Sequence, residues 1–133
     1  MECIYFGDGY GVKGPHVLAD LEMGVYGNKT SPAIDATFVT AMVKGDSNNH
    51  WAIKWGDAQT GSLKKVFDGP RPSSHVYNPM KKPGGLTLGL GGDTSNNGVG
   101  TFYEGLVTKG YTTDAADEAV QANIVAARYG KAQ

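Results

Sequence analysis

The sequence contains little cysteine, no excess of basic residues and no long hydrophobic run. The single cysteine, Cys3, excludes an internal disulfide framework and a metal site built from several cysteines. Three histidines are scattered without the spacing of zinc ligands, so we expect neither a metal nor another cofactor. Lys plus Arg number 12 and Asp plus Glu 13, and this balance argues against a nucleic-acid partner, which needs a basic surface.

Membrane and export signals are also missing from the sequence pattern. No apolar run approaches the ~20 residues that span a bilayer, so no membrane association is predicted. The start of the chain, Met1–Phe6, has no basic stretch followed by an apolar one, and it therefore predicts no signal peptide.

Glycine is abundant instead, with 20 of 133 residues, and this favours many tight turns. Short alternating or apolar segments separated by Gly, Asn and Asp indicate an all-β, antiparallel sandwich. The predicted strands are Glu2–Phe6, His16–Glu22, a following strand to which Val25 and Tyr26 can belong, Ala36–Lys44, Trp51–Trp55, Ser62–Phe67, Leu86–Leu90 and Thr101–Thr108. A hairpin turn is predicted at Gly45–Asn49 and a long surface loop at Gly69–Pro83. With no repeat and no linker, residues 1–133 are predicted to form one domain.

The last part of the chain predicts one α-helix over Asp114–Tyr129. Its apolar residues recur at helical spacing, at Ala116, Val120, Ile124 and Ala127. Thr113 or Asp114 can cap the N-terminus, and Gly130 is placed to end the helix.

The two tryptophans of the fifth predicted strand are expected in the core. Alternation places Trp51, Ile53 and Trp55 on one face, with Ala52 and Lys54 on the other. An exposed subset of aromatic residues could instead stack on sugar rings, but core packing is favoured for these two.

Two carboxylates, Asp20 and Glu22, end the second predicted strand. Alternation places them on one face together with Leu18, with β-carbons ~6.5 Å apart. Paired carboxylates on one face suit a glycosidase, which needs an ionised nucleophile, a residue that orients it or the sugar, and a separate acid. A solvated strand face is the other interpretation of the same pattern.

A third carboxylate, Asp93, lies in the glycine-rich polar segment Gly91–Gly98. Glycines allow close backbone approach to a ligand, and the neighbouring polar side chains suit hydroxyl recognition. Five of the twelve positions also match a calcium-binding EF-hand loop, namely Asp93, Ser95, Asn97, Gly98 and Glu104. Because that motif needs a helix on each side and strands are predicted here, we interpret the match as a coincidence.

The whole chain resembles the α-L-arabinofuranosidases of glycoside hydrolase family 54. The resemblance follows the order of the chain and is carried by the segments ECIYFG, GPHVLADLEMGVYG, FVTAMVKG, WAIKWGDAQTGSL, YNPM, LGLGGD, GTFYEG and QANIVAARY. It implies a concanavalin-like (jelly-roll) β-sandwich with one C-terminal α-helix, acting with retention on arabinofuranosyl side groups of plant polysaccharides. The part resembled is the C-terminal part of the family's catalytic domain, and the family is typically extracellular.

Carried over residue by residue, the resemblance implies Glu22 as nucleophile and Asp93 as acid/base. It implies sugar contacts at Asp20 and Gly92, and also at position 23, where the family usually has Asn and this chain has Met23. No metal or cofactor is implied, and the partner is an arabinose-containing polysaccharide or oligosaccharide.

Two alternatives stay open beside hydrolysis. One is a non-catalytic, lectin-like carbohydrate-binding sandwich that kept these residues without a complete active site, which Met23 would favour. The other is a protein-interaction module. Sheet edges left unpaired by a shortened sandwich would also favour a homo-oligomer, or a rearranged compact sandwich.

Overall fold

The strands of the described residues form two antiparallel sheets, each of three strands. The structure, a computed structural model, describes residues 2–9, 12–21, 25–26, 33–70, 85–86, 88 and 99–131. The first sheet has the order β1-β2-β3 and the second the order β4-β5-β6. The elements are β1 (Glu2–Gly9), β2 (Val12–Leu21), β3 (Val25–Tyr26), β4 (Val39–Gly45), β5 (His50–Asp57), β6 (Lys64–Pro70) and α1 (Asp114–Ala126).

The two sheets share one hydrophobic core. The first sheet contributes Val17 and Ala19 of β2, which are almost fully buried. The second contributes the predicted face of β5 together with one residue of β6, and these members are Trp51, Ile53, Trp55 and Val66. The alternation of β5 and the core position of both tryptophans are therefore confirmed.

Strand β5 is buried on both faces, which its sequence pattern did not predict. Ala52 and Lys54 point away from the core cluster, yet they are only 1% and 4% exposed. Helix α1 covers this outer face, since Gln121 Nε2 donates to the carbonyl oxygens of Asp57 and Gly61 at 2.8 and 3.4 Å. The second sheet therefore lies between the hydrophobic core and the helix.

The helix is confirmed, with Thr113 as its N-cap, but its end and its buried face differ from the prediction. It ends at Ala126 because Arg128 adopts a left-handed conformation with φ of 58°. The buried residues are Asp117 and Gln121, whereas Ala116 and Ala127 are exposed. The outer face of the second sheet presents lysines, and it therefore binds the polar side of the helix.

The strand predicted at Thr101–Thr108 is wrong. These residues belong to no strand or helix, and all of them are exposed. No strand of the described residues pairs with this segment.

Two further predictions fail in the described residues. Leu86 and Leu88 are 77% and 52% exposed, so the buried strand predicted at Leu86–Leu90 is wrong for the two leucines that are described. Gly69 and Pro70 end strand β6 instead of opening the loop predicted at Gly69–Pro83. The remainder of both segments lies outside the described residues.

The one helix in the described part of the chain has 13 residues and falls short of the length and apolarity that a membrane crossing requires.

Candidate functional site

The candidate site begins at Asp20, near the end of the central strand of the first sheet. Asp20 pairs in register with Cys3 of β1 and with Val25 of β3, so it lies in the middle of a three-residue row across the sheet. Directly opposed residues of an antiparallel pair point to the same face, and Cys3 is therefore the side-chain neighbour of Asp20. Both side chains are partly exposed.

The same face of β2 becomes buried as it runs back from Asp20. By strand alternation it also carries Leu18 and His16, which are 1% and 4% exposed. Tyr5 of β1 is the register partner of Leu18. Asp20 thus lies where a largely buried strand face opens towards solvent, a position suited to contact with a ligand.

At the turn end of the β1–β2 hairpin, a side-chain carboxylate links the two strands. Asp8 Oδ1 accepts a hydrogen bond of 2.6 Å from the backbone nitrogen of Gly14. Gly14 precedes Asp20 by six positions, about 20 Å at the rise of an extended strand. This end of the hairpin is therefore remote from Asp20.

Four of the five predicted site residues lie outside the described residues. These are Glu22, Met23, Gly92 and Asp93. Glu22 follows the last residue of β2, Leu21, directly in the sequence. The expected approach of Asp93 to Glu22 therefore remains a prediction.

A charged cluster lies between the second sheet and α1, and no sequence pattern predicted it. It consists of Lys44 and Lys54 on adjacent strands and Asp114 and Asp117 in the first turn of the helix. Both lysine ammonium groups lie 2.6 Å from Asp117 Oδ2, and they lie 3.2 and 2.6 Å from Asp114 Oδ1. Thr112 also donates its hydroxyl to Asp117 Oδ1.

The charges in this cluster stabilise one another. Burial alone raises the pKa of Asp117, but hydrogen bonds from Lys44 and Lys54, and from the hydroxyl of Thr112, outweigh it and hold that pKa below its ordinary value. Hydrogen bonds from Lys54 and then Lys44 lower the pKa of Asp114 to about 2. Burial lowers the pKa of Lys54, but its hydrogen bonds to the two carboxylates more than compensate and raise it. All these groups neutralise each other, so we assign the cluster to folding.

A second polar pair lies at the edge of the same face. His50 Nε2 and Asp68 Oδ1 are 2.6 Å apart, and Lys65 Nζ donates to Asp68 Oδ2 at 2.6 Å. These hydrogen bonds, first from Lys65 and then from His50, lower the pKa of Asp68. His50 and Asp68 belong to different strands, and only the register of β5 with β6 brings them together.

In the described part of the chain, no group of three or more His, Cys, Asp or Glu side chains is placed to hold a metal ion. Glu104, the last position of the EF-hand match, accepts a 2.6 Å hydrogen bond from the hydroxyl of Tyr129. The other four positions of that match lie outside the described residues.

Comparison with known proteins decides the family. Residues 1–130 match the family described as "Alpha-L-arabinofuranosidase B, catalytic". The chain belongs to this family. The resemblance to the family 54 arabinofuranosidases seen in the sequence is thereby confirmed.

Two curated relatives illustrate the similarity. An arabinofuranosidase/B-xylosidase of Trichoderma koningii and an alpha-L-arabinofuranosidase of Hypocrea jecorina are each 51% identical over 144 residues, covering 99% of this chain. The match covers 28% of either relative, so the chain spans little more than a quarter of their length.

Solved structures give the same assignment. A family 54 α-L-arabinofuranosidase soaked with a cyclic sulfate inhibitor is 44% identical, with a TM-score of 0.81. An arabinofuranosidase complexed with arabinofuranosyl-alpha-1,2-xylobiose is 43% identical, also with a TM-score of 0.81. Each match covers 96% of this chain and 29% of the solved one.

Proposed function

We propose that this chain carries the reacting groups of a retaining α-L-arabinofuranosidase that acts on arabinose side chains of plant polysaccharides. The single observation that carries the proposal is the family match over residues 1–130. The relatives and solved structures described above are named as arabinofuranosidases, which favours hydrolysis over the lectin-like alternative.

The position of Asp20 supports the assignment of the nucleophile. Asp20 lies on the central strand of its sheet, one residue before the strand ends at Leu21. If the alternation continues by one more residue, Glu22 points to the same face as Asp20. Asp20 then contacts the sugar held in front of Glu22, while Gly92 and Met23 complete the predicted sugar contacts.

The first step forms a covalent intermediate. A carboxylate oxygen of Glu22 attacks the anomeric carbon, and the bond from that carbon to the leaving oxygen breaks. Asp93 transfers its proton to the leaving oxygen, so the departing group leaves as a neutral alcohol. The arabinosyl group is now esterified to Glu22.

The second step releases arabinose. Asp93, now ionised, takes a proton from water, and the water oxygen attacks the anomeric carbon on the side that the leaving group vacated. The ester bond breaks and Glu22 regains its charge, so two inversions give net retention. This mechanism requires the two carboxyl groups to lie ~5–5.5 Å apart.

A chromogenic α-L-arabinofuranoside tests the proposal. The wild-type chain should release the chromophore, and Asp93→Asn should lower kcat/KM about 10²–10⁴-fold, the usual contribution of a general acid. Glu22→Gln should abolish turnover. Asp35→Asn, at an exposed position, is the matched control and should leave the rate unchanged.

The outcomes separate the alternatives. Glycan binding without turnover by the wild-type chain would support the lectin-like function and contradict hydrolysis. Equal rates for the wild type and Glu22→Gln would contradict the assigned nucleophile.

We further propose the finer features that the family resemblance implies. Residues 1–133 form one domain with the jelly-roll topology of the concanavalin-like sandwich. The protein is extracellular and acts on arabinose-containing polysaccharide or oligosaccharide. Unpaired strand edges make a homo-oligomer through sheet edges the expected assembly.

A further inference from the structure

The face of the first sheet that carries Asp20 also carries an aromatic ring. Cys3 is the register partner of Asp20, and Tyr5 follows Cys3 by two positions in β1. Strand alternation therefore points the side chains of Tyr5 and Asp20 to the same face. The two residues are diagonal neighbours across the strand pair, ~7–8 Å apart between their Cα atoms. Both are partly exposed.

The ring of Tyr5 leans along β1, away from Asp20. A β-carbon built on Gly7 would lie 2.6 Å from the Tyr5 hydroxyl oxygen and 2.8 Å from the ring carbon Cζ. Because Tyr5 and Gly7 point to the same face, the ring fills the space above β1 that a side chain at Gly7 would occupy. The Tyr5 hydroxyl donates a long hydrogen bond of 3.4 Å to the carbonyl oxygen of Asp8. The ring therefore lies along the sheet and does not stand upright from it.

The ring rests beside side chains that are themselves buried. Leu18 and His16 lie opposite Tyr5 and Gly7 on the same face, and they are 1% and 4% exposed. The exposed part of the Tyr5 ring therefore faces away from the sheet. The apolar C–H face of a sugar stacks well on a flat aromatic ring, and a ring already held by its neighbours loses little conformational entropy on binding.

We propose that Tyr5 binds a sugar of the polysaccharide main chain, beyond the arabinose that Asp20 contacts. The inference rests on the proposed function, because it takes Asp20 as a contact of the arabinose. It adds a binding residue for the rest of the substrate, which none of the predicted site residues provides.

Distance along the strand separates this contact from the arabinose. The ring lies between the rows of Tyr5 and Gly7, ~7–13 Å along the strand from the row of Asp20, at ~3.3 Å per residue. This is too far for the arabinose that contacts Asp20, but it suits a following sugar of the same substrate. In the other direction β2 ends at Leu21, so within the described residues this strand face continues only towards Leu18.

Two substrates of different size test the inference. On arabinoxylan, Tyr5→Ala should raise KM about 2–10-fold with kcat unchanged, the effect of losing one aromatic contact. On a small chromogenic α-L-arabinofuranoside, which ends before the ring, the same variant should leave kcat/KM unchanged. An equal loss on both substrates would overturn the inference, because the ring would then act on the arabinose or on the fold.

Three further variants separate the ring from other effects of the substitution. Tyr5→Phe keeps the ring and should keep the wild-type KM on arabinoxylan. Gly7→Ala keeps Tyr5 but displaces the end of its side chain, so it should raise KM on arabinoxylan as Tyr5→Ala does. Phe6→Ala, at the adjacent aromatic residue on the opposite face, is the matched control and should have no effect on either substrate. A wild-type KM for Gly7→Ala would contradict the assigned position of the ring.

A binding measurement decides the inference independently of hydrolysis. In a native gel that contains arabinoxylan, the wild-type chain should be retarded, and Tyr5→Ala should be retarded less. Equal migration of the two, or no retardation of the wild type, would overturn the inference. A chain that hydrolyses neither substrate but shows the expected difference in the gel would refute the proposed hydrolysis and leave the assignment of Tyr5 intact.

Discussion

Lys54 Nζ lies 2.6 Å from Asp117 Oδ2, and the two side chains are only 5% and 1% exposed. This buried ion pair joins the outer face of β5 to the first turn of α1. Removing one member of such a pair leaves the other charge buried and uncompensated, and this is far more costly than the loss of a surface pair.

Asp117→Ala is therefore expected to destabilise the fold strongly. It would leave both Lys44 and Lys54 without their most buried partner, at a cost of about 3–5 kcal/mol in the free energy of unfolding. Urea denaturation followed by circular dichroism measures the change. Asp35→Ala, at an exposed position, is the control, and a similar small effect for both variants would contradict the importance of the pair.

The same cluster predicts loss of stability in acid. The folded-state pKa of Asp114 is about 2, against an ordinary value of 3.8, and that of Asp117 is also lowered. A lowered pKa stabilises the fold above the ordinary value, and this contribution is lost as the pH falls through the folded-state pKa. Stability should therefore fall between about pH 4 and pH 2.

Thermal unfolding at a series of pH values measures this effect. In the double variant Asp114→Asn/Asp117→Asn, the slope of melting temperature against pH should be shallower in this range. An unchanged slope would show that other carboxylates carry the acid dependence.

Trp55 fills the shared core, and its removal should be costly. The side chain is 1% exposed and belongs to the cluster that joins the two sheets. Trp55→Ala should lower the free energy of unfolding by about 3–5 kcal/mol because it removes a large buried ring and leaves a cavity. Phe6→Ala, at a side chain 53% exposed, is the matched aromatic control and should cost much less in the same denaturation experiment.

Replacing Met23 by asparagine is expected to raise the hydrolytic activity. The family resemblance implies an Asn at this position that hydrogen-bonds the sugar, which methionine cannot do. Met23→Asn should raise kcat/KM on a chromogenic arabinofuranoside by about 2–10-fold, the equivalent of one hydrogen bond. Met23→Leu adds no hydrogen bond and should give no gain, and an equal effect of both variants would exclude this explanation.

The sequence was sufficient to predict features that depend on a pattern within a single strand or helix. The alternation of Trp51, Ile53 and Trp55 predicted the core face of β5, and the N-cap, Thr113, is one of the two residues predicted for it. Both signals are local, because they depend on residues a few positions apart.

The sequence was insufficient where the outcome depends on a distant partner. Thr101–Thr108 was predicted as a strand, but a strand also requires a neighbouring strand that shares its backbone hydrogen bonds, and none of the described strands pairs with it. An apolar face was predicted for the helix, yet Asp117 is buried because it pairs with Lys44 and Lys54. These lysines lie 73 and 63 residues away in sequence, so no local pattern indicates the pairing. Of the candidate site, Asp20 alone lies within the described residues, in the strand predicted for it.

The placement of helix α1 by paired charges has an evolutionary consequence. An interface packed only with aliphatic side chains tolerates single substitutions of similar size. A buried ammonium group, in contrast, is strongly destabilising once its carboxylate partner is replaced by a neutral residue. Because Asp117 pairs with both lysines, substitutions at Lys44, Lys54 and Asp117 should appear together in descendants of this chain, with the three residues either all ionic or all apolar. These positions are expected to change as a unit even though they lie on three separate elements, β4, β5 and α1.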